Sequence, residues 1–255
     1  MKRRILSVVT AILVLGSSSS TQNQQEISVL AWTLSRPALN KLIPQFESKT
    51  GYKVNLTWAR GPASKERVAS GDIFDVAIMT GPIGDVLASG QVVISSVKTL
   101  AGLKLSVTVR QGAPKPDIST LEAVKKALLN ARSVAYVDPG PGHTIGLNAW
   151  ATVQRLGLVE ELRGKTVLGT GGPNAQRLVA EGEVEINLGP FFNDTLVPGV
   201  ERVGALPRDV STPAPIVGMI GIHATDPAGA QALLDFLSSP EANAVYKELN
   251  METVP

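Results

Sequence analysis

The stretch ISVLAWTLSRPALNKLIPQFESKTGYKVNLTW, Ile27 to Trp58, changes its apolar period twice. ISVLAW is a short apolar run and reads as a buried strand. In the next segment Leu39, Leu42, Ile43 and Phe46 fall at helical spacing, with Ser35 as a possible N-cap, Pro37 in the first turn and Gly51 just past the end. Pro44 lies inside that pattern and should bend the helix. YKVNLTW then reads as a second strand. SKERVASG and FDVAIMT add a short helix and a third strand, so strand, helix, strand, helix, strand is complete by Thr80. Such alternation calls for a mostly parallel sheet with helices on its faces.

The same alternation returns further along. After LKLSVTVRQGAPKPD, Ser119 and Glu122 have capping-box spacing ahead of Leu121, Val124 and Leu128. SVAYV, a helix from Thr144, TVLGT, the helix in PNAQRLVAEG and VEINLG follow, and two amphipathic helices close the chain. Two long apolar strands, Leu103 to Arg110 and Pro215 to His223, bracket this second unit. They suggest a chain that leaves one lobe, builds another and returns. The expected fold is α/β, with two lobes joined by a two-strand hinge around a cleft: residues 23–105 and 222–255 in lobe 1, 106–221 in lobe 2.

The first 22 residues read as a signal peptide: basic MKRR, the apolar ILSVVTAILVLG, then small SSSS. That apolar run is far shorter than the roughly 20 residues a spanning helix needs. Without Lys2, Arg3 and Arg4 the 24 basic residues fall to 21 against 22 acidic ones, so nothing points to a nucleic-acid or membrane surface. There is no cysteine, hence no disulfide or thiol chemistry, and two scattered histidines make no metal set. No cofactor is expected. The remaining length, about 230 residues, suits two lobes.

In order and spacing, PALNKLIPQFESKTGYKVNLTW, GDIFDVAIM, LVAEGEVEI, VPGVERVGALP and ALLDFLSSPEANAVYKELNM resemble the periplasmic molybdate-binding proteins, whose fold is the type II periplasmic binding protein fold. RQGAPKPDISTLEAVKKALL and VPGVERVGALP are similar to a divergent branch of that family which includes aconitate isomerase. The resemblance implies a ligand site at the strand ends, and there this chain departs from the pattern. AWTLS offers Thr33 and Ser35 where the family has small residues and a serine. Arg60 and Gly61 stand where a serine-rich loop is expected, and Leu188 where a tyrosine is. Gly142, His143 and Thr144 occupy a turn that presents backbone amides in the family, and Asn187, Phe191 and Asn193 could wall the second lobe.

Neutral donors have thus given way to two ionisable groups. A guanidinium can grip a flat carboxylate with two hydrogen bonds. An imidazole exchanges protons near neutrality. His143 is therefore the candidate general base or acid, although a turn residue is the alternative role; His223 reads as structural. Thr33, Ser35 and Thr144 could equally be simple caps. GTGGPN, Gly169 to Asn174, lacks the lysine and spacing of a nucleotide loop. Two functions of different class follow: an isomerase acting on a small polycarboxylate, or the monomeric receptor of an ABC permease for molybdate or another small anion.

Overall fold

The computed structural model describes residues 25–191 and 196–254. The expected signal peptide, residues 1–22, and Asn193 lie outside them. The chain begins with β1 (Glu26–Trp32), α1 (Arg36–Thr50), β2 (Lys53–Ala59), α2 (Gly61–Ala69), β3 (Val76–Thr80), α3 (Gly84–Ala88) and β4 (Lys98–Leu103). It continues with β5 (Leu105–Arg110), α4 (Leu121–Asn130), β6 (Val134–Val137), α5 (Thr144–Arg155), α6 (Val159–Arg163), β7 (Thr166–Gly169), α7 (Gly172–Ala180), β8 (Ile186–Pro190) and β9 (Val200–Ala205). It ends with β10 (Ala214–Ile220), α8 (Pro227–Leu237), α9 (Pro240–Glu248) and β11 (Glu252–Thr253).

Two sheets result, one of six strands in the order β11-β4-β10-β3-β1-β2 and one of five in the order β7-β6-β8-β5-β9. The first, third and second strands pair in parallel, as do β6 with β7 and β8. The strand β3, VAIMT, is buried along its whole length, which is why it reads as an unbroken apolar run rather than an alternation. α1 sets Ala38, Leu39, Leu42, Ile43 and Phe46 into the core and runs as one helix through Pro44. Phe46 meets the rings of Tyr52 and Phe236 at 6.0 and 5.6 Å, tying α1 to the returning α8. Burying each such large apolar side chain contributes about 1.5–3 kcal/mol. Gly51 ends α1 in the left-handed region at φ 78°, as a helix-terminating glycine should.

A buried carboxylate pins the return. Asp75 accepts from the amide and hydroxyl of Ser28, both at 2.7 Å, and from the amide and hydroxyl of Thr225 at 2.6 and 2.8 Å. A fifth donor, the Asp226 amide, lies at 3.2 Å. Burial alone pushes the carboxyl up, but the Ser28, Thr225 and Asp226 donors outweigh it and hold it below its ordinary value.

The connections between lobes differ from the expectation. The first crossing is a single residue, Lys104, between β4 in one sheet and β5 in the other. The segment Pro215 to His223 is not a hinge: β10 pairs with β3 and β4, inside the first sheet. Residues 214–220, expected in lobe 2, therefore belong to lobe 1, and the chain returns through 206–213. A strand buried on both faces shows the same apolar run wherever it lies; only its hydrogen-bond partners reveal its sheet. The returning segment is fastened to α5, where Thr152 donates to Ser211 at 2.9 Å and Ser211 to Asn148 at 3.2 Å. At α4 the cap is Thr120, whose hydroxyl accepts from the Ala123 amide at 3.1 Å, rather than the expected pair of Ser119 and Glu122.

Candidate functional site: an anion cleft between the lobes

Every segment that meets in the cleft follows the carboxyl end of a strand. Trp32, Thr33 and Leu34 come from the end of β1, and Arg60 and Gly61 from β2. Val137, His143, Thr144 and Ile145 follow β6; Thr170 to Pro173 follow β7; Pro190 ends β8. Open α/β sheets place ligands here because the loops leave adjacent strands in opposite directions and open a crevice. The cavity holds about 530 Å³ and has a wall from each lobe.

The strand ends also deliver helix starts. Among the described helices of nine or more residues, α4, α8 and α9 are capped by the side chains of Thr120, Asp226 and Ser239. The three that begin at the cleft, α2, α5 and α7, have no side-chain cap, whereas α1 continues a 3-10 turn, Thr33–Ser35, whose Thr33 carbonyl already pairs the Arg36 amide. The first amides of α2, α5 and α7 therefore lack the partner that a capping oxygen supplies, and the partial positive charge of these three starts lies at the cavity, which Gly61, Thr144 and Gly172 line. A small anion is the ligand such ends bind.

Side chains reinforce the sign. Among the described lining residues Arg60 is the one permanent cation, and there is no carboxylate. His143 precedes α5 and is half-buried, with its Nδ1 3.2 Å from the carbonyl oxygen of Asp138. A carbonyl only accepts, so this contact requires the proton on Nδ1 and leaves the lone pair of a neutral ring on Nε2. Asp138 itself is the expected turn former, its carboxylate accepting from the Gly140 amide at 2.9 Å. Thr144 donates to the Gly81 carbonyl of the other lobe at 2.8 Å, a bond that bridges the cleft.

The close approach of α5 to β6 depends on a glycine. A Cβ at Gly146 would stand 2.3 Å from the Val137 carbonyl oxygen and 2.9 Å from the carbonyl atoms of Asp138. Without that Cβ, the first turn of α5 packs directly on the strand end, and His143 is held at the cleft.

Five of the eight expected residues meet in the cavity: Thr33, Arg60, Gly61, His143 and Thr144. Three do not line it. Ser35 is buried and turns its hydroxyl back onto the Trp32 carbonyl at 2.6 Å. Gly142 shapes the turn before His143, at φ 78°, with its amide on the Pro139 carbonyl at 2.9 Å. Asn187 points into the second lobe, donating to Thr108 at 2.9 Å, because it lies on the hydrogen-bonded interior of β8. Phe191 lies against the Arg202 guanidinium, 5.1 Å from ring centre to carbon, and His223 is exposed. Arg36 stacks on Trp58 at 4.6 Å. Sequence reasoning missed Trp32 and Gln176, and it discounted Thr170 to Pro173, which form a wall with no nucleotide signature. The signal for that wall was present: a glycine run between a strand and a helix.

The sequence profile of the bacterial extracellular solute-binding proteins matches residues 27–248. The chain belongs to this family. Among curated relatives of this solute-binding protein is an aconitate isomerase from Pseudomonas sp, 30% identical over 223 residues, 85% of this chain and 84% of that one. Another is the molybdate-binding protein ModA of Azotobacter vinelandii, 25% identical over 248 residues, 95% and 96% of the two chains. The solved periplasmic molybdate-binding protein of Azotobacter vinelandii superposes with a TM-score of 0.68 at 20% identity, covering 90% of this chain and 99% of that one. The two-lobe type II periplasmic binding protein fold expected from the sequence is the fold observed.

Proposed function

We propose that this solute-binding protein is a periplasmic, cofactor-independent isomerase of a small polycarboxylate, with aconitate as the leading substrate. The observation that carries the reading is the pairing of Arg60 and His143 on opposite walls of one cavity whose described lining residues include no carboxylate. At about 530 Å³ the cavity falls in the ~300–1,000 Å³ range of small-molecule sites. A lone tetrahedral oxyanion leaves most of that space empty. The relative named aconitate isomerase supports the same assignment.

Interconverting trans- and cis-aconitate moves a double bond by one carbon. A proton leaves the methylene carbon, the electron pair shifts through the allylic system, and a proton arrives two carbons away; no atom is gained or lost. In the proposed mechanism His143 Nε2 takes the first proton and returns it to the distal carbon. Negative charge on the carboxylate beside the deprotonated carbon is met by Arg60 and by the amides at the starts of α2, α5 and α7. Approach of the lobes excludes water and holds the carbon skeleton against the imidazole.

The uncapped helix starts and the Thr33 hydroxyl also suit a tetrahedral oxyanion, as does the likeness to ModA. The competing function is accordingly the receptor of an ABC permease for molybdate. Mixing the purified protein with trans-aconitate and following cis-aconitate by chromatography separates the two. Conversion that disappears in His143→Ala while binding persists is the expected result. Absence of conversion together with tight calorimetric binding of molybdate or tungstate would establish the receptor instead.

A further inference from the structure

Gln176 lies one turn into α7, on the same face as Gly172 at the helix start, and both line the cavity. The residue is only 2% exposed. Its Oε1 accepts from the Val197 amide at 2.9 Å. A backbone N–H can only donate, so this bond fixes which end of the amide is oxygen and leaves Nε2 as the free end. Nε2 has no partner among the described residues. Nε2 is not fully enclosed but keeps access to the cavity that the residue lines, and a donor of fixed orientation opening onto such a cavity is where a ligand oxygen can pair. Arg60 belongs to the wall of lobe 1, whereas Gln176 belongs to that of lobe 2.

From this geometry we infer that Gln176 is a specificity-determining residue: its Nε2 donates to a second carboxylate of the ligand, at the end away from Arg60. The inference rests on the carboxylate reading of the cleft and adds that the ligand must have two anionic ends. A neutral amide suits that task because its orientation is already set by Val197, so little freedom is lost on binding. A ligand with one carboxylate satisfies Arg60 and leaves the amide unpaired, a mismatch that sites built for polar groups reject strongly.

The test separates recognition from a merely structural role. Gln176→Glu keeps an acceptor oxygen for the Val197 amide but replaces the donor with a charge of the ligand's own sign. Gln176→Met keeps similar volume and loses both interactions. Calorimetry with tricarballylate, a saturated tricarboxylate with no double bond to shift, reads binding without turnover; butyrate serves as the single-carboxylate probe. In Gln176→Glu, tricarballylate affinity should fall about 100-fold, butyrate affinity should change less than about threefold, and the melting temperature should stay within about 2 °C of wild type. Tricarballylate binding like that of wild type would overturn the assignment of Gln176 and leave the isomerase reading standing. An affinity loss accompanied by the same fall in melting temperature as Gln176→Met would overturn it too, reducing Gln176 to an anchor for Val197. Wild-type protein that binds neither acid would overturn both readings.

Discussion

Replacing Gly146 with alanine tests whether packing behind the cleft sets the chemistry within it. The added Cβ would sit 2.3 Å from the Val137 carbonyl oxygen, whereas carbon contacts become favourable only at about 3.5 Å. The strand cannot yield: β6 pairs with β7 and β8, and the Asp138 amide is bonded to the Gly169 carbonyl at 2.9 Å. The start of α5 must therefore retreat by roughly 1 Å, carrying His143 with it. Such overpacking costs about 1–3 kcal/mol. At ~2–4 °C per kcal/mol for a chain of this size, the melting temperature should fall by about 2–12 °C. A displacement of that order at a reacting group costs about 100-fold in turnover. Thermal unfolding by circular dichroism and the chromatographic assay for cis-aconitate measure the two effects. Gly84→Ala is the control, since nothing lies within 4 Å of the added carbon, and it should change neither quantity. Wild-type stability and turnover in Gly146→Ala would refute the claim that this contact positions His143.

Two further substitutions probe charge. Asp75→Ala strands five donors and should cost about 3–5 kcal/mol in urea unfolding without changing ligand affinity per folded molecule. Because folding lowers the Asp75 pKa, its contribution is complete above the unfolded value of about 3.9 and is lost as pH falls through the folded one. Wild-type stability should therefore fall more steeply below about pH 4 than that of the variant, and parallel curves would contradict the role given to Asp75. At Arg60, lysine preserves charge without the fork and should weaken tricarballylate binding about 10-fold, whereas glutamine should weaken it about 100-fold; equal losses in calorimetry would argue against two-point carboxylate recognition.

The strand and helix alternation was legible because each element carries its own period: Leu39 to Phe46 show the helix and VAIMT the buried strand. Lobe membership was not, since β10 looks the same in either sheet and its assignment rests on pairing with Thr80 and Leu103, each more than a hundred residues away in sequence. Arg60 and His143, which both line the cavity, stood out in the sequence because ionisable residues at strand-to-helix turns are conspicuous. Asn187 misled because a polar residue at a strand end can satisfy itself inward, here on Thr108. Gln176 was invisible because a helical glutamine ordinarily faces water; only the fold closes over it.

The bare starts of α2, α5 and α7 also set terms for anyone seeking a hardier version of this protein. A serine, threonine or aspartate in place of Arg60 or His143 would each add about 1 kcal/mol of capping, and one in place of Gly171, itself a tolerated cap, only about a few tenths. A screen that rewards heat resistance alone would collect those changes and, on the proposed reading of the cleft, return a rugged protein blind to its ligand. A screen run with ligand present and scored on the rise in melting point with concentration would discard them, because each built-in cap competes with the molecule it replaces.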